Sequence, residues 1–200
     1  MTDTTPHPTL DQEARTWLRL QQRAHREFAA RVAVVTDWEA STPDTEWNVR
    51  DLVRHVIEEQ QWVPWLLAGL STGHARSRLR GLDDDLVAEW KRYSLAATTA
   101  WHDASPDSPV QLASDTVTTI DYLKEQVSDV TIHTWDLARA VGADEQLDLE
   151  LIEAVWTVFE PQKDALEASG LFASPIPVQE DAPLQARLLA LTGRDVRAIS

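Results

Sequence analysis

The 200-residue chain contains no cysteine, which excludes disulfides and thiolate metal ligands and means that any thiol chemistry must use a sulfur brought from outside. It also lacks any run approaching the ~18 consecutive apolar residues of a membrane helix. Its N-terminus, Met1 to Pro8, is polar and without a signal-peptide pattern. Both absences point to a cytoplasmic protein with no membrane partner. Positive charge is scarce: 18 Lys and Arg stand against 33 Asp and Glu, a formal net charge of -15. That balance repels polyphosphate backbones and argues against a nucleic-acid partner. Internal repeats and low-complexity tracts are likewise missing.

What is present is enough apolar residue, 43% of the chain, for a sizeable core, and nine tryptophans that can serve both core and pocket wall. The length suits a single domain over 1-200. Leu10, Ala14, Trp17, Ala24, Phe28, Val32 and Val35 recur at three- and four-residue spacing after a Thr9-Leu-Asp-Gln capping box, which predicts a long amphipathic helix. Asn48, with Asp51 three residues on, predicts the cap of a second helix carrying Leu52, Val56, Val63, Leu66 and Leu67. Pro64 is expected to kink or end it, and a loop holding Arg76, Arg78 and Arg80 to follow.

Asp83, Asp84 and Asp85 suit the start of a third helix with Leu86, Trp90, Tyr93, Ala97 and Trp101 as its stripe. After a loop with one short strand near Val110 to Leu112, a fourth helix is expected from about Ile120 to Val141, stopped by Gly142. A fifth helix over Leu149 to Phe159, irregular chain over Leu171 to Pro183 and a short sixth helix over Leu184 to Leu191 complete the prediction. The fold class is therefore all-α: a four-helix bundle core over about 9-143 with a helical C-terminal extension over about 147-200.

On the fourth helix Asp129 and His133 are four residues apart, about 40° around the axis and one turn along it, so both reach one point. They sit beside the apolar stripe, where ionisable groups are costly unless paired or metal-bound. His55, between Leu52 and Val56, is in the matching situation on the second helix. Two histidines and a carboxylate leave open positions on a divalent metal, as in a catalytic site. The same spacing equally suits an Asp-His ion pair beside a satisfied core histidine.

Glu59, four residues after His55, is a candidate catalytic base or further ligand, and otherwise a solvated helix face. Asp136 is a second catalytic candidate: three residues from His133, it can orient the imidazole or pair with Arg139 or another helix. Trp62 and Trp135 are read as core rather than pocket wall, and the three loop arginines as solvated rather than as a carboxylate clamp. His25, His74 and His102, without partners at ligand spacing, are read as surface or satisfied residues.

The segments Trp47-Asn-Val-Arg-Asp-Leu-Val-Arg-His55 and Asp129-Val-Thr-Ile-His-Thr-Trp-Asp-Leu-Ala-Arg-Ala-Val-Gly142, with the terminal Leu-Leu-Ala-Leu-Thr-Gly-Arg194, carry a resemblance. The chain resembles the actinobacterial DinB-like proteins related to mycothiol-dependent maleylpyruvate isomerase. The resemblance covers most of the chain and implies a four-helix DinB-type bundle with a divalent metal on His55, Asp129 and His133. Zinc is the expected ion, with nickel or iron as alternatives. It further implies a low-molecular-weight thiol such as mycothiol as cofactor and a small electrophile as substrate of a transferase or isomerase.

Two departures bear on this. Asp129 stands where the isomerase pattern has Glu, one methylene shorter, so the ion must sit closer or be held less tightly. The 58 residues after Gly142 are too few for the isomerase's separate C-terminal domain, so its substrate is not expected to carry over. The competing expectations are a non-catalytic metal-binding sensor or scaffold and a metal-free structural bundle. A homodimer is a further expectation that no residue in the sequence locates.

Overall fold

The computed structural model describes residues 10–44, 47–113, 115–170 and 172–197. Four long helices make the bundle: α1 Leu10–Val32, α2 Val49–Leu67, α4 Leu86–Asp103 and α5 Thr119–Ala140, with a single-turn helix α3, Thr72–Arg76, after α2. Helix α1 packs against α5 and α4, and α2 closes the ring against the same two helices. The predicted apolar stripes meet at the centre, where Phe28, Leu52, Val56, Ile57, Trp101, Val127 and Val130 are sealed from solvent.

The helix ends follow from local chemistry. Asn48 and Asp51 form the expected reciprocal capping box, the Asn48 side chain accepting from the Asp51 N–H at 2.9 Å and the Asp51 carboxylate from the Asn48 N–H at 3.3 Å. Asp85 caps α4 by accepting from the Ala88 N–H, and Thr118 caps α5 by accepting from the Asp121 N–H. The expected Thr9 cap lies outside the described residues. Gly142, at φ +67°, ends α5 as predicted: its N–H reaches the Arg139 carbonyl and that of Ala143 the Ala138 carbonyl, a left-handed turn that glycine adopts without strain.

Three expectations need correction. Of the kink or end expected at Pro64, the end does not occur: α2 runs on to Leu67. So near the C-terminus the missing donor removes a single hydrogen bond, while packing of Val63 and Leu66 holds the last turn. The loop with the three arginines contains α3, so Arg76 ends a short helix. The lone strand has a partner: β1 Pro109–Gln111 pairs antiparallel with β2 Thr116–Thr118, and the buried Val110 anchors the hairpin.

After α5 come α6 Leu149–Phe159, a 3-10 turn, α7 Lys163–Ser169 and α8 Leu184–Leu191. Helix α7 was not foreseen in the sequence. Helices α6 and α8 pack on each other, and α6 on α5. Ile132 and Trp135 of α5 join Leu147, Ile152, Val155, Phe159, Leu188 and Leu189 in a second apolar cluster. Helix α5 thus lies between two layers and is buried without interruption from Val130 to Ala138. Among the described residues no helix is long and apolar enough to cross a membrane.

Candidate metal centre

Helix α5 carries Asp129, His133 and Asp136 on one stripe, four and then three residues apart, and α2 presents His55 to the same point. His133 Nε2 lies 3.4 Å from Asp129 Oδ1, and His55 Nε2 lies 3.9 Å from Asp129 Oδ2. One donor atom from each of the three residues falls within 4.8 Å of the others. Ligands at about 2.0 Å from a tetrahedral ion stand about 3.3 Å apart, so this spread closes on an ion with small side-chain shifts.

A second observation shows that the donors fit a cation. The Asp129 side chain is 24% exposed as a whole, yet its Oδ2 atom is sealed from solvent and accepts no hydrogen bond. An anionic oxygen buried without a donor is costly, and a cation held there with the two imidazoles removes that cost. Two imidazole nitrogens and one carboxylate suit zinc, nickel or iron.

Behind the donors lies a buried network. His133 Nδ1 meets Asp136 Oδ2 at 3.0 Å, and Asp136 accepts two further hydrogen bonds from Arg194, from Nη2 at 2.8 Å and Nε at 3.2 Å. Asp136 is 0% exposed and Arg194 5%. Asp136 therefore supports His133 and pairs with the C-terminal segment, not with Arg139, which forms two hydrogen bonds to Glu145. In front, the Trp47 ring lies 4.6 Å from the His55 ring and 5.7 Å from that of His133. The α1–α2 loop seats it through the Ser41–Asn48 bridge and the Trp47 N–H, which donates to the Asp44 carbonyl.

Burial opposes charge on His133, but Asp129 and then Asp136 outweigh it and push the imidazole up to about 10. Burial would raise Asp129, yet the neighbouring His133 and His55 hold it below the usual carboxylate range. His55 is driven down, first by burial and then by the charge on His133, against the pull of Asp129. Without metal, then, the proton sits on His133 between two carboxylates, and His55 stays neutral at pH 7.

Glu59 stands one turn after His55. Burial and the charge of Asp129 push its carboxyl up to about 7, and its Oε2 accepts from Gln126 Nε2 at 3.4 Å. Such a group exchanges a proton at neutral pH.

The other singled-out residues stand apart from the donors. Trp135 is 1% exposed in the second apolar cluster. Arg76 and Arg78 are exposed over the rings of Trp62 and Trp65, and Arg80 is exposed. His25 is buried against Gln21 and edge-on to Trp90, while His74 meets Ser71 and His102 meets Gln22. Sequence reasoning missed roles for Trp47, Asp44 and Arg194. Trp47 and Arg194 bound two of the motif segments quoted above, but no spacing rule ties either to a histidine.

Residues 21–138, which include His55, Glu59, Asp129, His133 and Asp136, match the family described as the mycothiol maleylpyruvate isomerase N-terminal domain. Among curated proteins, two from different strains of Mycobacterium tuberculosis, each named only as an uncharacterized protein, are 31% identical over 192 residues. The match covers 90% of this chain and 98% of each relative. No solved structure gives a significant match. On the matched span, the helical architecture and the similarity along nearly the whole chain, this protein belongs to the mycothiol maleylpyruvate isomerase N-terminal domain family.

Proposed function

We propose that the chain holds one divalent metal ion on His55, Asp129 and His133 and works with a small-molecule thiol of the mycothiol type on a small electrophilic substrate, as a transferase or isomerase. The observation that carries this reading is that one donor atom each from His55, Asp129 and His133 lies within 4.8 Å of the others while Oδ2 of Asp129 is sealed and undonated. Zinc is the ion we expect. A bound divalent ion supplies the positive charge that makes a thiol a thiolate, hence a nucleophile, at neutral pH.

The chain's own residues do the rest. Having no cysteine, it draws its sulfur from solution. Glu59, neutral and charged in comparable amounts near pH 7, is placed to accept a proton and return it. Trp47 packs beside both imidazoles, its ring tilted 40° to each, and limits water on that side. Asp136 orients the His133 ring.

The test is metal content by mass spectrometry after reconstitution with zinc, for wild type, His55→Ala and His133→Ala. About one equivalent in wild type, lost in both variants, supports the site and leads to assays pairing low-molecular-weight thiols with electrophiles. No metal, or equal metal in all three, overturns the reading. Metal without thiol-dependent turnover removes its enzymatic half and leaves a metal-binding protein.

A further inference from the structure

Arg194 reaches the supports of both histidines. Its guanidinium donates two hydrogen bonds to Asp136, which meets His133 Nδ1. Its Nη2 also lies 3.6 Å from Asp44 Oδ2. Asp44 in turn accepts the Trp47 N–H on its carbonyl, and Trp47 lies against His55. The Arg194 side chain is 4% exposed and its guanidinium donates as well to the Thr192 carbonyl at 2.7 Å, so its place is determined on three sides.

The backbone that delivers it is equally constrained. Helix α8 ends in a left-handed turn at Gly193, φ +79°, whose N–H reaches the Ala190 carbonyl while that of Arg194 reaches the Leu189 carbonyl. A Cβ at Gly193 would meet the Ala173 Cβ at 2.6 Å. The turn therefore aims Arg194 into the space behind His133, although residue 194 lies well beyond the span matched to the family.

We propose that Arg194 is a positioning residue for the histidine donors. Through Asp136 it holds the Nδ1 side of the His133 ring and turns Nε2 toward Asp129. Through Asp44 it steadies the loop that seats Trp47 on His55. The C-terminal layer is then part of the site and not only a cover for α5. This rests on the proposed metal reading only for its consequence for affinity; the arrangement of the imidazoles stands independently.

The experiment uses the full chain, metal-free and zinc-loaded, as wild type, Arg194→Lys, Arg194→Gln and Asp44→Asn, with circular dichroism to report folding. Long-range nitrogen–proton NMR of the imidazoles reports the state of each His133 nitrogen and the persistence of the Nδ1 proton, and chelator competition gives the zinc Kd. Faster solvent exchange of the His133 Nδ1 proton and a Kd raised on the order of tenfold to a hundredfold are expected in Arg194→Gln, with Arg194→Lys in between. Asp44→Asn, which replaces a carboxylate 33% exposed, removes one arm without touching the core and shifts the His55 resonances.

Variants that melt earlier but keep wild-type imidazole spectra and a Kd within about twofold overturn the proposal and leave Arg194 a structural tie. If Arg194→Gln does not fold, the other two variants decide the matter by the same readouts. Altered imidazole spectra in the variants together with no zinc uptake by wild type would uphold the positioning role and overturn the metal reading.

Discussion

His55 and His133 stand edge to face, with ring centroids 5.3 Å apart and planes 79° apart, although α2 and α5 bring them from distant parts of the chain. Two imidazoles that close do not both carry a positive charge: Asp129 favours charge on His133, and burial with the charge on His133 keeps His55 neutral. On the proposed reading a divalent ion would take the place of the His133 Nε2 proton and meet the undonated Asp129 Oδ2.

Metal binding is therefore expected to stabilise the fold. With zinc at a hundredfold excess over its Kd, wild type should gain about 2.7 kcal/mol in unfolding free energy, and His55→Ala should lose most of that gain. Thermal unfolding with and without a chelator measures it; identical curves for wild type would count against the site.

Glu59→Gln is expected to change stability with a definite sign. The carboxyl binds its proton more tightly in the folded protein, with a value of about 7 against an ordinary 4.5, because burial and Asp129 disfavour its charge. Its stabilising contribution is present below pH 4.5 and is lost as pH rises through 7. The neutral amide should thus equal wild type near pH 4.5 and exceed it at pH 8 by up to ~3 kcal/mol. Urea unfolding of both proteins across that range tests this, and a pH-independent difference would contradict it.

His25 works in the opposite direction. Burial holds its imidazole down to about 4 from 6.5, so the folded state stays neutral where the unfolded chain is already protonated. Its contribution is intact above pH 6.5 and falls away toward pH 4, by up to ~3 kcal/mol. The stability gap between wild type and His25→Gln should shrink on acidification; a gap that widens would show that His25 is protonated in the fold.

Trp135→Ala should cost about 3–5 kcal/mol, because the ring is 1% exposed between α5 and the C-terminal layer and carries the Arg139 guanidinium 4.6 Å from its centroid. Denaturant unfolding measures the loss. A cost below about 1 kcal/mol would mean that the layer docks without it.

Much of the site was legible in the sequence because it rests on local periodicity. Asp129 and His133 share a face in any helix, and Asn48 with Asp51 announces the start of the helix that carries His55. The partner of Asp136 was not legible. Arg139 is three residues away and was the natural candidate, but Arg194 wins because the α8 turn delivers it to a fully buried carboxylate while Arg139 is held by Glu145. The short elements α7 and β2 escaped for a related reason: seven and three residues carry too little periodicity to stand out.

By itself the sequence determined the all-α class, the bundle helices, the Asn48 cap of α2 and the nearness of Asp129 to His133, since each depends on neighbours within about two turns. Tertiary structure alone decided that His55 faces that pair, that Trp47 packs beside both rings, and that Arg194 closes the network from behind. Apart from Trp47 with His55, those contacts join residues tens of positions apart, and their geometry is set by how α5 is packed between two apolar layers.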